Sequence, residues 1–191
     1  LERGVAAVFY FASSLYARAS LPLETVIEFA HRYNTPVIVD AAAQLPPKEN
    51  LWKFTQMGAD LVIFSGGKTL CGPQDSGLIL GKKALIDDCR RFGAPAHGIC
   101  RSSKTSRESI AGLVTALEHY LTLDADQEYA RLEALNKRIA EKLQKTGRCR
   151  TRIVPYGPVG QTYPRLFIDL EQGVNAQTLE RQMREAAIYI G

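Results

Sequence analysis

The sequence predicts an α/β fold with a mainly parallel sheet, followed by a small α+β domain. Short apolar segments alternate with segments of helical periodicity on short loops, which is typical of a parallel sheet. The apolar segments are continuous rather than alternating, which indicates a sheet covered on both faces. Beyond Gly147 the pattern changes to short strands and one amphipathic helix. We therefore predict one domain over residues 1–122 and a smaller, incomplete one over residues 123–191.

Each element of the first domain has a local signal. Apolar runs predict buried strands over Val5–Phe9, Val37–Val39, Leu61–Phe64 and Gly77–Gly81. Apolar residues at helical spacing predict helices from Pro22 to Asn34, over Leu51–Met57 and from Lys82 to about Phe92.

The second half of the chain begins with a long helical pattern. It runs from Ser106 to about Lys145 and is interrupted at Leu123–Asp126. Ser106 with Ser109 forms half of a capping box. Further strands are predicted over Arg152–Val154 and Leu166–Leu170, a helix over Ala176–Ala187, and the start of another strand over Ile188–Ile190.

Composition excludes several classes of protein. The chain has 191 residues, of which 46% are hydrophobic and 23% charged, as in ordinary globular proteins. No apolar run approaches the roughly 20 residues of a membrane-spanning helix, and no secretory signal is visible. The four cysteines lack metal-ligand spacing, so we predict no metal site and free thiols in a reducing cytoplasm. The chain begins with Leu1 rather than Met, and its first residues already resemble a buried strand, so we expect a fragment or a processed product.

One charged stretch could indicate nucleic-acid binding. Seven basic residues between positions 137 and 152 are opposed by Glu141 alone: Lys137, Arg138, Lys142, Lys145, Arg148, Arg150 and Arg152. The same pattern is typical of the solvated side of a surface helix. Because no aromatic residues are interleaved for base stacking, we favour the solvated face and expect no nucleic-acid partner.

Two reactive side chains follow neighbouring predicted strands. Asp40 ends the strand in Val-Ile-Val-Asp, and Lys68 follows the next strand in Phe-Ser-Gly-Gly-Lys. Ligands of parallel sheets gather beyond the carboxyl ends of the strands. A carboxylate and an amine there suit pyridoxal phosphate (PLP), with Lys68 forming the Schiff base and Asp40 keeping the ring nitrogen protonated. Ser65 could bond the cofactor phosphate. Spacing alone favours a turn-capping Asp40 and a solvated Lys68, because an aspartate after a strand and a Gly-Gly-Lys sequence are each common.

A family resemblance favours the cofactor site. The stretch Ala59–Lys68, with Val39–Ala42 before it, resembles fold-type-I PLP enzymes of the aspartate-aminotransferase fold. Lys68–Gly81, with Gly-Pro-Gln after the lysine, is similar to the branch containing selenocysteine synthase (seryl-tRNA selenium transferase) and D-glucosaminate-6-phosphate ammonia-lyase. The stretch Arg101–Glu118 resembles the ammonia-lyase side more closely. The resemblance covers essentially the whole chain and the later part of the family.

The resemblance implies further roles. It places Gln44 near the cofactor hydroxyl, although cysteine desulfurases carry this glutamine one position earlier, where the chain has Ala43. Arg101 and Lys104 lie where substrate contacts are expected, and Arg165 corresponds to the carboxylate-binding arginine. Cys71 is interpreted as a core residue rather than a second nucleophile. The resemblance also implies a homodimer or a higher homo-oligomer.

Three functions follow as alternatives. The first is α,β-elimination from a small anionic 3-hydroxy amino acid such as D-glucosaminate 6-phosphate. The second is a selenium transferase acting on seryl-tRNA, which shares the first half of that chemistry. The third is a truncated, non-catalytic paralogue that keeps the fold. The intact Asp40, Ser65 and Lys68 favour an enzyme over the third alternative.

Overall fold

The computed structural model describes residues 4–13, 15, 20–171 and 173–190. They divide into two compact units, Leu1–Ala125 with Pro158–Thr162, and Asp126–Gly157 with Tyr163–Gly191. The predicted domain boundary after residue 122 stays a prediction. Within the described part of the chain, no helix is both long enough and apolar enough to span a membrane.

The first unit contains a four-stranded sheet. Its strands are β1 (Val8–Phe11), β2 (Val37–Asp40), β3 (Leu61–Ser65) and β4 (Gly77–Gly81), in the order β1-β2-β3-β4. The pairs β1–β2 and β2–β3 are parallel, and β4 runs antiparallel to β3. The predicted α/β class with a mainly parallel sheet is therefore confirmed.

The helices of this unit are α1 (Leu23–Arg32), α2 (Asn50–Gln56), α3 (Lys83–Phe92) and α4 (Arg107–Thr122), with a 3-10 helix over Ile99–Ser103. Pro22 occupies the N-cap of α1, and Gly58 follows α2 with a φ of 106°. The half capping box is confirmed, because the Ser106 hydroxyl accepts a hydrogen bond from the Ser109 N–H.

The two faces of this sheet differ. One face carries Val37, Val39, Val62 and Phe64, each at most 1% exposed, and they pack with buried residues of α1, α2 and α4. Residues of the other face alternate with them and are more exposed; on the outer strands these are Phe9, Phe11 and Ile79. On the central strands the second face is also partly covered, since Leu61 is 8% exposed, so the prediction that both faces are covered stays a prediction for the outer strands. The continuous apolar runs in the sequence do not reveal that one face of the sheet is more exposed than the other.

A buried carboxylate joins three elements at the amino end of β3. Asp60 is 3% exposed and lies 2.5 Å from Lys82 Nζ and 2.8 Å from His31 Nε2. It also accepts a hydrogen bond of 2.6 Å from the Val37 N–H. Burial raises the pKa of Asp60, but the bonds from Lys82, His31 and Val37 outweigh burial and hold the pKa below its ordinary value.

The second unit contains α5 (Ala125–Gln144) from its second residue onward, the antiparallel pair β5 (Cys149–Val154) and β6 (Arg165–Leu170), and α6 (Ala176–Glu185). The predicted strands and helix of this region are present, with ends shifted by up to three residues. The strand expected over Ile188–Ile190 is wrong, since these residues adopt no regular secondary structure.

Candidate active site

Asp40 and Ser65 end adjacent parallel strands. Asp40 is paired with Ile63, and Ser65 lies two residues further along β3. Because paired residues, and residues two apart in a strand, share a face, Asp40 and Ser65 lie on the same, more exposed face of the sheet. Both are half-buried. The Asp40 Oδ1 accepts a hydrogen bond of 2.9 Å from the Ala42 N–H, which orients the carboxylate.

Lys68 lies in the turn that follows β3 directly. The turn is closed by backbone hydrogen bonds from Gly66 N–H to the Ser76 carbonyl and from Gly72 N–H to the Gly66 carbonyl, both 2.9 Å. Leu70, two residues after Lys68, is only 2% exposed and anchors the turn in the core. The Lys68 side chain itself is exposed. The turn therefore holds its backbone firmly while it presents the amine outside the packed interior.

The two glycines before Lys68 are required by close backbone contacts. A Cβ atom on Gly66 would lie 2.1 Å from the Ser76 hydroxyl and 3.0 Å from its carbonyl. A Cβ on Gly67 would lie 2.6 Å from the Cα of Gln74, whose side chain donates a hydrogen bond to the Gly67 carbonyl. Larger residues would force these segments apart. Gln74 is a contact that the sequence interpretation missed.

Thr69 and Gln44 hold the segments that follow Lys68 and Asp40. The Thr69 hydroxyl donates to the Leu45 carbonyl at 2.7 Å, and the Gln44 Nε2 donates to the Val159 carbonyl at 2.9 Å. The predicted contact between Gln44 and a cofactor hydroxyl stays a prediction. Thr69 was not identified from the sequence, because a threonine after a lysine carries no distinctive spacing.

Cys71 differs from its interpretation as a core residue. Its side chain is exposed, and its φ of 57° lies in the left-handed region. The sequence interpretation relied on the usual burial of cysteine. The tight turn after Lys68 instead directs this residue out of the core.

The predicted substrate residues are distributed over two places. Lys104 lines an apolar groove formed by the end of α3, the 3-10 helix and the start of α4, with Phe92, Ile99 and Ile110. Ser76 and Gly77, beside the lysine turn, line the same groove. Arg101 is exposed and its guanidinium donates to the Pro95 carbonyl. Arg165 lies in the second unit, at the start of β6.

The residues at the strand ends fit PLP chemically. Asp40 offers a carboxylate with one oxygen bonded to the backbone, Ser65 offers a hydroxyl, and Lys68 an exposed amine. A carboxylate, a hydroxyl and an amine at adjoining ends of parallel strands can hold a pyridinium, a phosphate and an aldehyde carbon respectively.

Comparisons with known proteins identify the family of the chain. Residues 19–155 match the L-seryl-tRNA selenium transferase family. The chain is 34% identical over its whole length to a 5'-C-glycyluridine monooxygenase-decarboxylase from Streptomyces sp., covering 47% of that protein. It is 31% identical over 98% of its length to a D-glucosaminate-6-phosphate ammonia lyase from Salmonella typhimurium, covering 49% of that protein. The chain thus spans about half the length of the curated relatives it matches.

Solved structures show the same relationship. A structure of D-glucosaminate-6-phosphate ammonia-lyase matches with a TM-score of 0.74 and 31% identity, over 97% of this chain and 48% of that one. A serine palmitoyltransferase from S. paucimobilis with bound PLP matches with a TM-score of 0.55 and 15% identity, over 97% of this chain and 46% of that one, which shows the fold alone. The fold is that of fold-type-I PLP enzymes. The chain therefore belongs to the L-seryl-tRNA selenium transferase family of PLP-dependent enzymes.

Proposed function

We propose that this chain carries the PLP site of a lyase that eliminates water and ammonia from a small 3-hydroxy amino acid. Lys68 holds the cofactor covalently, Asp40 binds the ring nitrogen, and Ser65 binds the phosphate. The observation that carries the proposal is the shared face of Asp40 and Ser65 at adjoining strand ends, with Lys68 in the next turn. The likeness to the ammonia lyase over nearly the whole chain supports the reaction class.

When bound, PLP supplies an electron sink for the pair of electrons left on the substrate Cα. The Asp40 carboxylate keeps a proton on the ring nitrogen, which makes that sink effective. With the substrate bound, the Lys68 Nζ would accept the Cα proton. It can then deliver a proton to the departing 3-hydroxyl, so that water leaves. Hydrolysis of the resulting enamine releases ammonia and a 2-keto-3-deoxy acid.

We further propose that the substrate is a phosphorylated 2-amino sugar acid, such as D-glucosaminate 6-phosphate. Lys104 lines the groove beside the lysine turn and is suited to a phosphate or carboxylate. We propose the same kind of contact, with a substrate phosphate or carboxylate, for Arg101 and Arg165. We also propose that the full-length protein acts in the cytoplasm as a homodimer or a higher homo-oligomer.

The test is to incubate the full-length protein with PLP and D-glucosaminate 6-phosphate and to measure ammonia and keto acid. We expect both products in equal amounts, and none from a Lys68→Ala variant. Lys48→Ala serves as the control, since Lys48 lies in the loop before α2. A protein that binds PLP on Lys68 but releases no ammonia from this or related 3-hydroxy acids would contradict the lyase.

The second candidate is a selenium transferase acting on seryl-tRNA, supported by the family match over residues 19–155. It uses the same loss of the serine hydroxyl but adds a selenium nucleophile to the dehydrated product. A salt-titrated binding assay with seryl-tRNA distinguishes the two. Tight, salt-sensitive binding without ammonia release would favour the transferase.

A further inference from the structure

The segment between β5 and β6 contributes to the first unit. Residues Pro158–Thr162, which we call the strap, belong to that unit although both flanking strands belong to the second. Two hydrogen bonds join the strap to residues 44–46, one at each end of that segment. The Gln44 Nε2 donates to the Val159 carbonyl at 2.9 Å, and the Thr162 N–H donates to the Pro46 carbonyl at 3.3 Å.

The segment that is hydrogen-bonded to the strap is also hydrogen-bonded to the lysine turn. Leu45, between the two residues bonded to the strap, accepts the Thr69 hydroxyl at 2.7 Å, and its side chain is 4% exposed. The Asn50 amide donates to the Gln44 carbonyl at 2.6 Å and holds the turn from the other side. Residues 44–46 are therefore the junction of the segment after Asp40, the turn of Lys68 and the strap.

The backbone hydrogen bonds between β2 and β3 do not by themselves fix the segments that follow Asp40 and Ser65. The register of β2 with β3 ends at Asp40 and Ile63, and Lys68 lies five residues beyond Ile63, in irregular chain. Beyond the strands, the side chains of Thr69 and Gln44 tie these segments to each other and to the strap. A bond of this kind has a modest net strength, so its loss shifts a position without unfolding the unit.

We propose that Thr69 and Gln44 are positioning residues for the PLP site. Through Leu45 and the strap they keep the Lys68 amine and the Asp40 carboxylate at a fixed separation. The inference rests on the proposed function, because it assigns these residues a role toward the cofactor that Lys68 and Asp40 bind. It also predicts that disturbing Thr69 loosens the strap, which Thr69 does not bond directly.

The experiment compares Thr69→Val, Thr69→Ser and Gln44→Ala with the parent full-length protein. Thr69→Val keeps the shape but removes the hydroxyl, whereas Thr69→Ser restores it. The matched controls are Thr55→Val, whose hydroxyl bonds within α2 to the Trp52 carbonyl, and Gln56→Ala on the exposed side of α2. Two quantities are measured. The first is the dissociation constant of PLP, obtained by equilibrium dialysis, with borohydride reduction to verify that the bound PLP is attached to Lys68. The second is hydrogen exchange of the strap in the cofactor-free protein.

We expect Thr69→Val and Gln44→Ala each to weaken PLP binding about fivefold, and Thr69→Ser and both controls to match the parent. Exchange of the strap should rise in Thr69→Val and Gln44→Ala, while exchange of α1 should stay at the parental rate. Exchange that rises equally in α1 would indicate general loosening and overturn the inference. Parental PLP binding and strap exchange in Thr69→Val would also overturn it, and would leave the proposed function intact. A parent that takes up no label on Lys68 would overturn both.

Discussion

Asp40 and Ser65 lie on one face of the sheet at the ends of adjacent parallel strands, because Asp40 pairs with Ile63 and Ser65 lies two residues further on. This is the less covered face, whereas the opposite face packs against α1, α2 and α4. The fold thus separates two tasks. One face of the same strands builds the core, and the other presents polar groups to a ligand beyond the strand ends.

The first prediction is that Lys68 is the lysine that binds PLP. Its amine is exposed in a turn whose backbone is held by Ser76 and by the buried Leu70. Reduction of the PLP-loaded full-length protein with borohydride, followed by peptide mapping, should label Lys68. A Lys68→Arg variant should lose the label, because a guanidinium does not condense with an aldehyde at neutral pH. Label on another lysine in the parent would remove Lys68 from the site.

The second prediction concerns Asp40→Asn. The amide can still bond the Ala42 N–H, so we expect the fold and most PLP binding to remain. It cannot hold a proton on the ring nitrogen, so turnover should fall by about 10²-fold or more. Asp87→Asn, on the surface of α3, is the control and should turn over at the parental rate. Turnover of Asp40→Asn near that of the parent would show that Asp40 has another role.

Much of this site could be predicted because it depends on local order along the chain. The apolar strands before Asp40 and Lys68 were predicted to within one residue of their observed ends. Strand β1 was predicted to begin three residues early and to end two residues early, since its limits are set by pairing of Val8 with Val37 rather than by its own residues. The antiparallel direction of β4 was not predicted for the same reason.

The contacts that could not be predicted join residues far apart in sequence. Thr69 reaches Leu45 across 24 positions, and Gln44 reaches Val159 across 115 positions. Neither bond has a periodicity or a spacing that a single sequence reveals. Pairing of β5 with β6 likewise brings the Phe167 ring within 4.3 Å of the Arg152 guanidinium, although no aromatic residue is interleaved in the basic stretch itself.

The third prediction is that Asp60 makes the fold sensitive to acid. Its folded pKa lies below the ordinary value of 3.8, so its contribution to stability is complete above that pH and is lost as the pH falls through the folded pKa. Asp60→Asn should lower the free energy of unfolding by about 2 kcal/mol at pH 6, and by much less near pH 2. Urea unfolding at both pH values measures this.

Asp87→Asn is the matched control for Asp60, because Asp87 pairs with Lys83 and Arg90 at the surface. Its loss should cost less than about 1 kcal/mol at either pH. An Asp60→Asn variant with the same cost at pH 2 and pH 6 would show that the carboxylate charge is not what stabilises this junction.

The fourth prediction concerns Gly66→Ala. The new Cβ would lie 2.1 Å from the Ser76 hydroxyl, 2.9 Å from Leu113 Cδ1 and 3.0 Å from the Ser76 carbonyl. We expect a loss of about 1–3 kcal/mol in stability and weaker PLP binding, since the lysine turn must move away from Ser76. Adding Ser76→Ala removes only the hydroxyl contact, so it should restore part of the stability. Unchanged stability of the single variant would contradict the close packing of this turn.

The last prediction is that the basic stretch is not a nucleic-acid site. The Gln144 Nε2 donates a hydrogen bond of 2.8 Å to the Thr151 hydroxyl, so the last residue of α5 lies beside the face of β5 that carries Thr151. Arg150 and Arg152 alternate with Thr151 and lie on the opposite face, where Arg152 is 3.7 Å from Asp169. Arg150 and Arg152 therefore lie on the face of β5 opposite the one that the end of α5 contacts.

Binding of seryl-tRNA should accordingly be insensitive to these residues. We expect Lys142→Gln with Lys145→Gln, and separately Arg150→Gln, to leave both the affinity and its dependence on salt as in the parent. Each lysine or arginine that contacts a phosphate contributes about one unit to the slope of log affinity against log salt, so the assay detects the loss of a single contact. A slope reduced by about two in the double lysine variant would show that the end of α5 and the residue after it bind RNA, and would favour the selenium transferase over the lyase.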